Sequence, residues 1–298
     1  MDFEALFARI DHHVRLADGQ VRVMEYDGGD AKRWVLEDKD NVRVFLFREA
    51  LAAYFDLCGV RTEERWDDRM LAQDCITLTF ADRDELDKED YALIKELGRG
   101  YRGKKKWPQL RRMRPYRVPW DLSEEDIAEL CDALDVLNGG AEGTELAKNS
   151  VKPAPLQVPE AQLNNELLTA RFKRLEASDT VWDVTVQAFP FPTHSEEEMG
   201  APCCPLMLLA VDEKTDQVLC LAVESTDKPE CTRILAQEML TEGIKGGVRP
   251  RLVRCANRQA QHVLGGLFEE LGVRTELQPD LPQLAEAFES LLNFAGAE

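Results

Sequence analysis

Between residues 180 and 294 the apolar pattern switches repeatedly between a period of two and a period of 3.6, and no other feature constrains the fold as much. Residues 181–189 alternate as a strand does, and the apolar runs 206–211 and 218–223 flank a polar turn at 212–216. Residues 252–255 and 273–277 make two more short strands. Between and after them the spacing is helical: Val263, Leu264, Leu267, Phe268 and Leu271 form one stripe, and Leu284, Phe288, Leu291 and Leu292 another. Gly246, Gly247 and Gly272 stand where helices should stop. Strands joined through helices to parallel neighbours predict an α/β domain, a mixed five-stranded sheet covered by helices.

The 298 residues, 44% apolar and 31% charged, suit two domains that each bury a core. Residues 141–159 turn to Gly, Lys, Asn and Ser with Pro153, Pro155 and Pro159, which predicts a linker between an α+β domain at 1–140 and the α/β domain at 160–298, the latter opened by a helix over 160–175. Eight cysteines with no C-x-x-C pair sit mostly in apolar stretches, where a thiol acts as a small core hydrophobe in a reducing compartment. The start Met1-Asp2-Phe3-Glu4 lacks the features of a signal peptide, and the longest apolar block, 205–211, is too short to span a bilayer. The expectation is a cytoplasmic protein with no membrane partner.

In the first half, residues 3–16 and 49–57 read as helices and 21–26, 42–47 and 75–80 as strands. Asp82, Asp84, Glu85 and Asp87 crowd a helix start, where carboxylates complement the dipole, and Gly98 follows its last turn. Ser123 to Asp126 opens another helix with a capping-box pattern, with Ile127, Leu130, Leu134 and Leu137 on one face and Gly139-Gly140 at its end. Lys95-Glu96-Leu97-Gly98, the Gly100 to Gly103 step, Trp107-Pro108 and Pro119-Trp120 form a pattern that resembles a bacterial family of unknown activity, so the resemblance implies no function. Physically, two X-Pro steps beside indoles predict an extended segment pinned against the domain.

A net charge of −19 repels nucleic acid and anionic membrane unless positive charge is concentrated locally. Residues 99–117 concentrate it: nine basic residues occur with no acid among them, interleaved with Tyr101, Trp107 and Tyr116. Backbone neutralisation and base stacking need those residue types, so Arg102, Lys104, Lys105, Lys106, Arg111 and Arg112 are candidates for binding nucleic acid or another partner. The competing expectation is that they pair with the acids at 82–90 and 124–126.

The element order of residues 180–294 resembles the ribonuclease H-like fold. That resemblance implies carboxylates on the first strand, on the first helix or after the fourth strand, and on the last helix, holding two Mg2+ or Mn2+ ions for phosphodiester hydrolysis. Asp183 lies in the first strand, and Glu238 shares a helix face with Ile234 and Leu235 if those point at the sheet. After the fourth strand stands Asn257, which suits a helix N-cap, and Glu286 falls opposite the apolar stripe of its helix while Glu289 is the other acid there. An incomplete set holds hard cations poorly. The expectation is therefore a non-enzymatic binding protein with a degenerate ribonuclease H-like domain, without cofactor. The alternative is a metal-dependent nuclease acting through Asp183 and Glu238. His194, Cys203 and Cys204 are poorly spaced for zinc, His12-His13 reads as surface, the acidic run 195–198 reads as a solvated loop, and no nucleophile elbow, Walker loop or dinucleotide fingerprint occurs.

Overall fold

The computed structural model describes residues 2–29, 31–59, 71–155, 158–193 and 201–295, and the chain divides near residue 157 into two compact units. The first contains α1 (Phe3–His12), β1 (Arg22–Gly28), β2 (Ala31–Glu37), β3 (Asn41–Phe45), α2 (Arg48–Gly59), β4 (Cys75–Ala81), α3 (Lys88–Glu96), β5 (Trp107–Met113), α4 (Glu124–Leu137) and β6 (Thr144–Glu145). Its sheet runs β5-β4-β3-β2-β1-β6 with antiparallel neighbours. Alternation along β4 explains why it is covered on both faces. Ile76, Leu78 and Phe80 join the core under α1, α3 and α4, whereas Cys75 joins the one under α2. At the start of α4, Ser123 Oγ accepts from the Asp126 amide and the Asp126 carboxylate accepts from the Ser123 amide, the reciprocal cap expected from the pattern.

Two readings of this unit change. Residues 141–159 are not a free linker: β6 pairs with β1, Val151 is buried in the α2-side core, and the Ala154 amide donates to the Ala52 carbonyl. Apolar content is low there although backbone pairing at residues 144–146 and at Ala154 ties the stretch to β1 and α2. His13 is likewise no surface residue. Its imidazole is sealed beside the fully buried Glu37, with Nε2 3.1 Å from Oε1, while Arg22 donates to the other carboxylate oxygen at 2.6 Å.

The second unit contains α5 (Glu166–Lys173), β7 (Val181–Ala188), β8 (Leu206–Asp212), β9 (Val218–Glu224), α6 (Cys231–Gly246), β10 (Leu252–Cys255), α7 (Arg258–Glu270), β11 (Arg274–Leu277) and α8 (Pro282–Ala295). The five-stranded sheet is mixed, in the order β11-β10-β7-β8-β9, with β10 parallel to β7 and β11, and β8 antiparallel to β7 and β9. The helix expected over 160–175 is confined to α5, capped by Asn165, whose Oδ1 accepts from the Leu168 amide.

Register fixes which helix covers which face. Asp183, Thr185 and Gln187 on β7 stand opposite Val211, Leu209 and Met207 on β8, and those three pack under Leu281 and Leu284 with Phe288 of α8. The alternate residue Trp182 therefore points to the other face, where its ring meets Phe172 of α5 and Phe268 of α7. Gly243 of α6 forms the floor of that ring's seat: a Cβ there would lie 2.6 Å from Trp182 Cη2 and 3.0 Å from Phe172 Cε2. Gly243→Ala is expected to destabilise this unit. Overpacking costs about 1–3 kcal/mol, against about 1 kcal/mol gained in helix propensity. A urea midpoint equal to or above that of the parent would refute the close seat.

Candidate functional site

The carboxylates singled out in the sequence do not meet. Asp183 lies on the α8 face of the sheet, while α6, which carries Glu238, lies on the Trp182 face. The buried stripe of α6 is Thr232, Leu235, Ala236, Met239, Leu240 and Gly243, so Glu238 projects into solvent instead of toward the sheet. Ile234 is only partly buried, and taking it as the centre of the apolar face rotates the helix phase. Glu286 and Glu289 on α8 are exposed as well.

Asp183 itself is fully buried and belongs to an ion pair. Arg254, its register partner on the parallel neighbour β10, donates Nε to Oδ1 at 2.6 Å and Nη2 to Oδ2 at 2.8 Å, and the same Nη2 lies 3.7 Å from Glu213. Burial pushes the Asp183 pKa up, and the guanidinium opposes that shift. Arg254 in turn is held above its ordinary value, chiefly by the bond to Asp183. Both shifts are upward, but their main causes differ because the aspartate is the more deeply buried partner. Desolvation dominates there, while the arginine keeps some solvent. Chemically, both oxygens of Asp183 are spent on a fixed cation, which repels any divalent ion brought to the same carboxylate.

Asn257 completes this end of the sheet. Its Oδ1 caps α7 by accepting from the Ala260 amide at 2.7 Å, and its Nδ2 donates to Thr185 Oγ1 at 3.0 Å and to the Val186 carbonyl at 3.1 Å. The cap was legible from residue type and position; the tie to β7 was not. Among the described residues no cluster of three His, Cys, Asp or Glu could hold a metal ion. His194 and the acidic run 195–198 lie outside the described residues.

The basic stretch divides in two. Arg111 reaches Asp87 at 2.5 Å and Asp90 at 2.7 Å, Arg112 reaches Asp74 at 2.7 Å and Asp126 at 3.4 Å, and Lys105 reaches Glu85 at 2.8 Å. Burial lowers the pKa of Arg111, and its aspartate partners more than restore it. These three candidates are thus neutralised by acids on other elements. Arg102, Lys104 and Lys106 are exposed and make no ion pair among the described residues. The turn that carries them is held from inside. Lys105 takes a left-handed backbone with φ 50°, its amide donates to Asp82 Oδ1 at 2.6 Å, and its carbonyl accepts from Arg15 at 2.7 Å.

A cleft of 370 Å³ beside the α1–β1 connection is lined by Arg15, Gln20, Arg22 and Asn138 among others, yet Arg22 is committed to Glu37 and the Leu137 carbonyl. No helix of the described residues is long and apolar enough to cross a membrane.

Fold and site together define a protein of two α-and-β units, the second a mixed sheet whose buried aspartate is tied to an arginine. Residues 38–149 match the family model of a domain of unknown function, DUF7309, and residues 168–292 match that of a second domain of unknown function, DUF6930. No curated protein matches the chain closely enough to be called a relative.

Proposed function

We propose that the protein is a non-enzymatic binding or interaction protein whose second unit uses a ribonuclease H-like scaffold with a degenerate carboxylate site. The strand order, the antiparallel β8 and the helices that follow β9, β10 and β11 support the scaffold. The observation that carries the reading is the Asp183–Arg254 pair, which puts a guanidinium where a nuclease of this class needs a divalent ion. Glu238 on the far face and an amide at 257 point the same way. Mn2+ titrated into the full chain by calorimetry is expected to give no binding heat, and a labelled oligonucleotide no Mn2+-dependent cleavage. Millimolar or tighter binding that Asp183→Asn abolishes would instead favour the metal-dependent nuclease, and Mn2+-dependent cleavage lost in the same variant would establish it.

One observation favours a nucleic-acid partner for the first unit: three exposed cations on an anchored turn, Arg102, Lys104 and Lys106, which make no ion pair among the described residues. Changing all three to alanine is expected to weaken retention on duplex DNA and to lower the slope of log affinity against log salt by about 2–3. Affinity and slope unchanged in that variant would remove this reading.

A further inference from the structure

Among the described residues two sheets offer four edges, and three are guarded. β6 is two residues long. β5 is covered where Arg112 and Trp120 exchange backbone hydrogen bonds at 2.7 and 3.0 Å. β11 is four residues long and carries an Arg274–Glu276 ion pair. Short strands, covering segments and charge are the usual protections of a sheet edge. β9 is different. Its seven residues, Val-Leu-Cys-Leu-Ala-Val-Glu, contain no proline and no lysine, and among the described residues its outer side pairs with nothing.

The side chains of β9 point to unlike environments. Val218, Leu221 and Val223 stand opposite Val211, Leu209 and Met207, so they share the α8 face, but α8 packs over β8 and β7 and leaves them 53, 45 and 44% exposed. On the other face Cys220 and Ala222 are buried against α6. There the Cys220 thiol is pushed up to about 12 by burial and then by the carboxylates of Glu242 and Glu238, which α6 carries as it packs along this strand, Glu238 on its exposed side. Lys245 pairs with Glu242 at 2.7 Å, whereas Glu238 has no ion-pair partner among the described residues.

We infer that β9 is a docking edge for an extended segment of another protein in which apolar residues alternate with basic ones. A strand added to β9 has a side-chain period of two, so one set of its residues extends the apolar strip and the other set faces the acidic flank of α6. Backbone hydrogen bonds supply affinity, and the two faces select the sequence. The chain's charge of −19 favours a basic partner over a second copy of itself. This inference rests on the reading of the second unit as a binding module.

The test uses the full chain and a nine-residue synthetic peptide of alternating valine and lysine. Amide hydrogen exchange in β9 is expected to slow at least tenfold on adding the peptide. Affinity is expected to fall at least tenfold when the peptide lysines become glutamates, or in Leu221→Lys, a change at an exposed position that leaves the melting temperature in place. The double variant Glu238→Lys with Glu242→Lys is expected to reverse the preference toward the glutamate peptide. Protection absent from β9, or binding indifferent to Leu221→Lys, overturns the inference. So does a dimer that protects β9 without peptide, because it makes the occupant a second copy. A silent peptide with silent Mn2+ would remove this edge and leave the binding reading standing. Mn2+-dependent cleavage would remove that reading whatever the peptide does.

Discussion

Arg254→Ala is expected to destabilise the second unit by about 3–5 kcal/mol, because it leaves a fully buried carboxylate without the cation that holds both its oxygens. The loss should be read from hydrogen exchange of the β7 amides or from urea unfolding of the full chain. Replacing both partners, Asp183→Leu with Arg254→Met, is expected to recover most of it, since apolar packing removes the desolvation cost of both charges. A single arginine variant as stable as the parent would mean that the pair contributes nothing and that Asp183 is solvated.

The same variant has a pH signature. Burial raises the folded-state pKa of Asp183 above its unfolded value, and Arg254 pulls it back. A raised carboxylate binds its proton more tightly in the folded state. Its stability contribution is therefore complete below the ordinary carboxylate range and is lost as pH rises through the folded value. Removing Arg254 extends that window upward. The deficit of Arg254→Ala is thus expected to shrink as pH falls from neutral toward the ordinary carboxylate range. A deficit independent of pH would assign the loss to packing alone.

Trp182→Ala is expected to cost a further class of energy, about 3–5 kcal/mol, by emptying the contact between three helices and the sheet. The ring is buried, edge-on to Phe172 and Phe268 at centroid distances of 6.2 and 6.5 Å, and seated over Gly243. Its Nε1 is buried without a hydrogen-bond partner among the described residues. Trp182→Phe deletes that donor, whose isolation costs about 1–3 kcal/mol, and is expected to lose far less than the alanine variant. Equal losses in the two variants would show that the indole edge carries the packing.

How much of this was legible depends on the range of the interaction involved. The caps at Ser123 and Asn257 and the stripes of α7 and α8 follow from residues three and four apart. The strand β2 escapes periodicity because Trp34, Val35, Leu36 and Glu37 are all buried, so nothing alternates along its second half. The phase of α6 is hard to read from sequence for a related reason. Its buried face is marked by Ala236, Met239 and Gly243 as much as by large aliphatics, and the conspicuous Ile234 lies at its margin. One signal for the ion pair was present: a lone aspartate in Val-Trp-Asp-Val and a lone arginine in Leu-Val-Arg-Cys, opposite charges in strands too apolar to leave either in water.

By itself the sequence determined the helix caps and apolar stripes, the short strands of the second unit and the absence of a third carboxylate after the fourth strand, since each depends on neighbours along the chain. Only the tertiary structure decided that Asp183 meets Arg254, that Glu238 lies across the sheet from it, and that three of the six basic candidates are spent on acids. Those outcomes are set by strand register and helix placement between residues tens of positions apart, where a shift of one residue carries a side chain to the opposite face.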